Sequence, residues 1–181
     1  QALILQIPLL VALVTGDLVQ DDPGGYVHFR TEFAQLGKPV LCIPGNHDDV
    51  PAMRAALSMP PFQLGGVYDA GNWRTILLDS TIPGETGGAL DAAGLAFLEE
   101  ALASAAGMHA LVCLHHHPIP MQSRWLDTVG LANGAELAFY ANDILLTPVR
   151  DTALAEARTG LDAGSFAGNA LQVTFDDVSI I

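Results

Sequence analysis

Basic residues are scarce in this chain. Only 7 lysines and arginines stand against 20 aspartates and glutamates among 181 residues, so the formal net charge is −13. Such a protein repels polyanions unless bound cations offset its field locally. An acidic surface also favours solubility, which is the plainer explanation of the charge. The composition therefore argues against a general role in binding DNA or RNA polymers.

Cysteine and long apolar segments are also rare. Cys42 and Cys113 each lie inside an apolar run, and we interpret both as buried thiols of a cytoplasmic, reducing compartment. The N-terminal run ALILQIPLLVALV is interrupted by Gln6 and Pro8 and is too short to span a membrane. No basic residue precedes it and no small-residue cleavage site follows, so we predict a core strand rather than a signal peptide.

The remaining composition is typical of a globular protein, since 50% of the residues are hydrophobic and 15% are charged. Short apolar runs alternate with segments of helical spacing, which indicates an α/β fold. At this length we expect one domain, residues 1–181. The predicted strands are Leu3–Ile7, Leu10–Val14, Pro39–Ile43, Arg74–Leu78, Ala110–Leu114 and Ile144–Leu146. The predicted helices are Tyr26–Leu36, Ala52–Leu57, Ala92–Ala105 with Asp91 as its N-cap, and Gly134–Tyr140.

Three polar clusters each follow a predicted strand. Asp17 follows VALVTG, the run Asn46–His47–Asp48 follows VLCIPG, and the three histidines His115–His117 follow ALVCL. Ligands of open α/β sheets bind beyond the carboxyl ends of strands, so these side chains should gather at one edge. Oxygen and imidazole donors suit Mn, Fe, Co, Zn or Mg rather than a thiolate site. Each cluster alone could be a turn, a cap or a loop, but together they predict a metal site.

The motifs GD, GNHD and HHHP, in this order and strand context, resemble the calcineurin-like metallophosphoesterase family. Longer stretches resemble its class III cyclic nucleotide phosphodiesterase branch, namely IPGNHDDVPAMRAAL, LLDSTIPGETGGALDAAGLAFLEEAL and HHHPIPMQSRWLDTVGLANGAEL. The resemblance implies a two-sheet β-sandwich core flanked by helices, and a pair of divalent metal ions. By the same resemblance, Asp17 would bridge the two metals and Asn46 would bind the second. His115 would bind that second metal too, with His116 as the alternative ligand.

The resemblance also implies a reaction, the hydrolysis of a small phosphodiester by a hydroxide that bridges the metals. His47 would stand beside the scissile phosphate and protonate the leaving oxygen or stabilise charge, and Asp48 would hold His47 in orientation. Cyclic AMP and cyclic GMP are the first substrates to expect. A glycerophosphodiester or another small phosphoester is the alternative. An oligomer is compatible with this function, and no membrane partner is expected.

Some residues near the motifs have two interpretations. Trp125 and Leu126 could form one wall of a substrate pocket or pack in the core, and Glu85 could line the same pocket. Asp21 and Asp22 are interpreted as a loop and helix-entry pair, although one of them could touch the site.

The chain departs from the family pattern where further ligands are expected. An Asp-x-His motif should end the first strand, where this chain has Gln6–Ile7–Pro8, and no histidine follows His117 to form the late Gly-His-x-His motif. Two predicted strands also abut at Ile7–Pro8 without room for a crossover. We therefore predict that segments are missing near residues 7–8 and 141–143. The alternative is a degenerate, non-catalytic protein of the same fold that binds a nucleotide or a partner protein.

Overall fold

The structure is a computed structural model in which residues 11–140 are described, with side chains for residues 11–137. All of them belong to one compact unit. The predicted strands Leu3–Ile7 and Ile144–Leu146 lie outside the described residues. The same holds for the segments expected to be missing near residues 7–8 and 141–143. These expectations, and the single domain 1–181, stay predictions.

The first sheet consists of three parallel strands joined by two helical crossovers. In chain order its elements are β1 (Ala12–Thr15), α1 (Gly25–Ala34), β2 (Val40–Ile43), α2 (Val50–Ala56) and β3 (Phe62–Leu64). The central strand β2 is buried at all four positions, as expected for an unbroken apolar run covered on both faces. Helix α2 begins where the Asp49 carboxylate accepts a hydrogen bond from Ala52 N, at 2.9 Å.

The second sheet is mixed, because β4 pairs with β5 antiparallel and β5 pairs with β6 parallel. Its elements and their helices are β4 (Gly66–Ala70), β5 (Trp73–Leu77), α3 (Ala92–Ala103), β6 (His109–Cys113), a 3₁₀ turn at Leu126–Thr128 and α4 (Gly134–Tyr140). Asp91 caps α3 as predicted, since its carboxylate accepts a hydrogen bond from Gly94 N at 2.7 Å. Two sheets flanked by helices confirm the predicted fold class.

The sequence pattern does not predict β3 or β4. Strand β3 has only three residues, and β4 alternates between half-buried and exposed positions, so neither forms an apolar run. Gly65, between the two strands, and Gly66, the first residue of β4, have φ angles of 72° and 84°. This left-handed backbone lets the chain leave one sheet and enter the other.

A small cluster joins the two sheets. Leu41 and Ile43 of β2 pack against Leu77 of β5 and Cys113 of β6. Both cysteines are free and buried, as predicted. Burial raises the pKa of the Cys42 thiol to about 12 and that of Cys113 to about 11, so both stay protonated and neither offers a thiolate to a metal. No helix within residues 11–140 is long and apolar enough to cross a membrane.

Candidate metal centre

Three acceptor atoms converge where β1, β2 and β6 end. Asp17 and His115 each lie two residues beyond a strand, and Asn46 lies three residues beyond β2. His115 Nε2 lies 3.2 Å from Asn46 Oδ1 and 3.5 Å from Asp17 Oδ1. The structure thus brings together one residue from each of the three predicted clusters.

A backbone carbonyl fixes the tautomer of His115. Its Nδ1 lies 2.9 Å from Thr15 O, and a carbonyl oxygen only accepts, so Nδ1 carries the proton. In the neutral ring, Nε2 then presents a lone pair to the oxygens of Asp17 and Asn46. Three acceptors that face one another repel unless a proton or a cation lies between them.

The spacing and chemistry of these atoms fit a divalent cation. Two ligand atoms that each lie about 2.1 Å from a metal are about 3.0–3.4 Å apart, depending on the coordination angle. The observed 3.2 and 3.5 Å separations are close to that range. Within residues 11–140, however, no three His, Cys, Asp or Glu side chains are grouped so that they could hold a metal. The cluster contains two such side chains, Asp17 and His115, and its third member is the amide of Asn46. The described residues therefore supply a partial ligand set, suited to one cation.

Glycines allow this close approach of the three strand ends. A methyl group on Gly45 would overlap Asp17 Oδ1 and lie 2.8 Å from His115 Cε1, and one on Gly16 would overlap His115 Nδ1. Gly16 also has φ of 107°, and Asp17 follows with φ of 52°, a left-handed conformation that aspartate tolerates. The glycines of the GD and GN motifs thus leave room for the ligands.

The Asp48 carboxylate connects the two loops that carry Asp17 and Asn46 through hydrogen bonds. Its carboxylate accepts hydrogen bonds from Leu18 N at 3.1 Å, Val19 N at 3.3 Å and Gly45 N at 2.9 Å, and from the Tyr26 hydroxyl at 2.9 Å. Burial is the main cause that raises the pKa of the Tyr26 hydroxyl, and the hydrogen bond to Asp48 raises it further. The hydroxyl therefore stays protonated and remains a donor.

The carboxylate that contacts the His47 ring is Asp21, and not Asp48 as expected from the resemblance. His47 Nδ1 lies 3.1 and 3.2 Å from the two Asp21 oxygens and 2.8 Å from Gln20 Nε2. The hydrogen bond to Asp21 raises the pKa of His47, and the same bond lowers the pKa of Asp21. The backbone N–H of His47 donates to Asp17 Oδ1 at 3.2 Å, so this histidine lies beside the acceptor cluster.

His116 lies apart from that cluster. Its ring is buried, with Nδ1 2.8 Å from the buried Ser80 Oγ. Its Nε2 has no hydrogen-bond partner among the described residues. Burial lowers the pKa of His116, which keeps the ring neutral. The structure places His115, rather than His116, beside Asp17 and Asn46.

The structure distinguishes between a pocket wall and core packing for the segment that follows the histidines. The Trp125 side chain is exposed, with a relative accessibility of 72%, so it does not pack in the core. Glu85 lines a cleft together with His117 and Asp127, and Leu126 is half-buried. Asp22 accepts a hydrogen bond from Gly24 N at 2.9 Å just before α1, as a helix-entry residue should.

Replacing Asp48 by asparagine should lower the free energy of unfolding by at least about 2 kcal/mol, because the amide loses one acceptor oxygen and its charge. Urea denaturation measures this change. Asp49→Asn is the matched control, since asparagine is an equally good helix cap and stability should change little. Equal stability of the Asp48→Asn variant and the wild type would contradict the assigned role of Asp48.

Replacing Asp21 by asparagine should lower the pKa of His47 toward its ordinary value of 6.5, because the neutral amide stabilises an imidazolium less than a carboxylate does. NMR titration of the histidine ring protons without added metal measures the shift. The wild-type ring should stay protonated to higher pH than the ring in the variant. The Asp22→Asn control should leave the pKa of His47 unchanged. An unshifted pKa in Asp21→Asn would contradict the contact of Asp21 with the His47 ring.

Comparisons with known proteins agree with the geometry of these motifs. The sequence profile of the family described as Calcineurin-like phosphoesterase matches residues 6–146. A 3',5'-cyclic adenosine monophosphate phosphodiesterase CpdA of Haemophilus influenzae is 42% identical over 130 residues, which cover 71% of this chain and 47% of that protein. The protein of the same name from Escherichia coli K12 is 41% identical over 133 residues, which also cover 71% of this chain and 47% of that protein.

The corresponding protein of Pseudomonas aeruginosa is 42% identical over 122 residues, which cover 67% of this chain and 44% of that protein. The chain thus spans about half the length of the curated relatives it matches. The profile match includes all three motifs and most of the chain. The chain belongs to the calcineurin-like phosphoesterase family.

Proposed function

We propose that this chain carries part of the active site of a metal-dependent phosphodiesterase that hydrolyses small phosphodiesters, 3',5'-cyclic nucleotides first. The observation that carries the proposal is that His115 Nε2 lies 3.2 Å from Asn46 Oδ1 and 3.5 Å from Asp17 Oδ1, while the proton on Nδ1 of His115 faces Thr15 O. Such a cluster of acceptors is costly in a protein without a cation.

Calcineurin-like phosphoesterases use divalent metal ions. We propose two ions per site, with Asp17, Asn46 and His115 as ligands of one and Asp17 shared with the other. When bound, such ions neutralise phosphate charge and lower the pKa of a coordinated water. The partial ligand set within residues 11–140 requires further ligands for the second ion. His115 is proposed in preference to His116, because the His116 ring is buried against Ser80.

His47 is the residue suited to proton transfer. Its ring is partly exposed, Asp21 holds it through Nδ1, and the hydrogen bond to Asp21 raises the pKa of His47, which favours the protonated ring. In this role His47 donates a proton to the departing oxygen, a contribution of about 10²–10⁴-fold for general acid catalysis. Asp48 acts at a distance by holding the loops of Asp17 and Asn46 together.

The relatives' names support cyclic AMP as the first substrate to test, ahead of cyclic GMP and glycerophosphodiesters. The net charge of −13 supports a small substrate, because a polymer of phosphates meets repulsion away from the metals. A second candidate is a non-catalytic binding protein of the same fold, favoured by the partial ligand set of residues 11–140. The cytoplasmic location and the possible oligomer stay predictions.

Hydrolysis of cyclic AMP by the purified protein loaded with Mn²⁺ tests the proposal. The Asp17→Asn variant should lose metal and at least about 100-fold in activity, since changes outside the first ligand shell already cost about 10–100-fold. The Asp69→Asn variant is the matched control, because Asp69 pairs with Arg74 on the surface at 2.8 Å. Full activity of Asp17→Asn, or a metal-loaded wild type that hydrolyses no small phosphodiester, would overturn the proposed enzyme.

A further inference from the structure

Ser80 and His116 are buried polar residues to which the proposed reaction assigns no role. Ser80 is fully buried, and His116 is 3% exposed. His116 Nδ1 lies 2.8 Å from Ser80 Oγ, which also accepts a hydrogen bond from the backbone N–H of His116 at 3.4 Å. Burying such groups costs free energy that an apolar pair of the same size would not cost. The pair therefore has a use other than filling the core.

The two residues occupy matching positions beyond two paired strands. Strands β5 and β6 are parallel, with Leu77 opposite Cys113. Ser80 and His116 each lie three residues further along their own strand direction. The hydrogen bond between them thus continues the connection of β5 with β6 past the end of the backbone ladder. His115 lies inside this connected stretch, so its position depends on the second sheet.

A close approach of the backbone encloses this pair. A methyl group on Gly88 would overlap His116 Nδ1 and the carbonyl oxygen of Ser80. That carbonyl accepts a hydrogen bond from Ala89 N at 3.0 Å, and Gly88 N donates to Gly130 O at 3.2 Å. The His116 ring therefore keeps its place unless the backbone around residue 88 moves.

The enclosed His116 ring packs against the ring of His115. The two ring centroids are 4.9 Å apart with an interplanar angle of 87°, an edge-to-face arrangement that aromatic rings favour. The hydrogen bond from His115 Nδ1 to Thr15 O, at 2.9 Å, fixes only one point of that ring. Gly16 and Gly45 also approach the ring, but neither has a side chain. The His116 ring supplies the side-chain contact that opposes a swing of His115 about its hydrogen bond.

We propose that His116 is a positioning residue for His115, and that Ser80 holds His116 for this purpose. The His116 ring keeps His115 Nε2 directed at the oxygens of Asp17 and Asn46, where a cation binds. This inference rests on the proposed function and gives a role to the second histidine of the run. Groups that orient a metal ligand contribute about 10–100-fold to metal affinity.

Removal of the His116 ring tests this role. His116→Ala should weaken Mn²⁺ binding about tenfold or more, because His115 loses its fixed orientation. Electron paramagnetic resonance of free Mn²⁺ measures the affinity, and circular dichroism shows whether each variant is folded. Leu98→Ala is the matched control, since Leu98 is buried in the core of the second sheet. It should unfold at lower urea concentration and bind Mn²⁺ as the wild type does. Unchanged affinity in His116→Ala, or an equal loss in Leu98→Ala, would contradict the proposal.

Nitrogen NMR of the histidine rings in the metal-free protein gives a readout that needs neither metal nor activity. The wild type should show a protonated Nδ1 of His115 that exchanges slowly with water. In His116→Ala this proton should exchange at least about tenfold faster, because the ring opens more often. Loss of Mn²⁺ binding with an unchanged His115 signal would make His116 a ligand and overturn the proposal. A changed signal in a protein whose wild type binds no Mn²⁺ would support the positioning of His115 and overturn the proposed function.

Ser80→Ala is the milder variant, because it removes one hydroxyl and keeps the His116 ring. It should weaken Mn²⁺ binding about fivefold, a typical net contribution of one hydrogen bond. In the His116→Ala background the same change should have no further effect, because Ser80 acts through His116. An equal loss in both backgrounds would contradict the proposal. If His116→Ala does not fold, Ser80→Ala decides alone, and an unchanged Mn²⁺ affinity with an unchanged His115 exchange rate would overturn the positioning role.

Discussion

The close approach of His115 Nε2 to Asn46 Oδ1 and Asp17 Oδ1 is the constraint around which the described site is built. With neutral His115 these atoms are all acceptors and repel one another, so the surrounding structure or a cation must hold them together. The carbonyl of Thr15 turns the His115 ring by accepting from Nδ1. The Asp48 carboxylate holds the other two loops through three backbone N–H groups. These contacts preorganise the site for a cation.

The site also depends on how the sheets pack. Asp17 and Asn46 come from the first sheet, whereas His115 follows β6 of the second. The cluster of Leu41, Ile43, Leu77 and Cys113 joins the sheets below these strand ends. The hydrophobic core and the geometry of this cluster are therefore coupled, because a shift of one sheet against the other would move His115 relative to Asp17 and Asn46.

The sequence predicts the fold and the gathering of ligands for identifiable reasons. Strand β2 is an unbroken apolar run and α3 begins at a capping aspartate, so their local signals agree with the final structure. The position of a ligand after a strand also follows from the pattern. The contact of Asp21 with the His47 ring does not follow, although the pattern allows either Asp21 or Asp22 to touch the site; Asp21 has a left-handed φ of 56°. Neither does the difference between His115 and His116, since neighbours in a bend point in different directions.

We infer that Asp17, Asn46 and His115 together bind a divalent cation. A crystal of the protein soaked in Mn²⁺, measured for anomalous scattering, tests it most directly. We expect an anomalous peak within bonding distance of Asp17 Oδ1, Asn46 Oδ1 and His115 Nε2. A peak at His116 or between His117 and Asp127, with none at these three atoms, would contradict it.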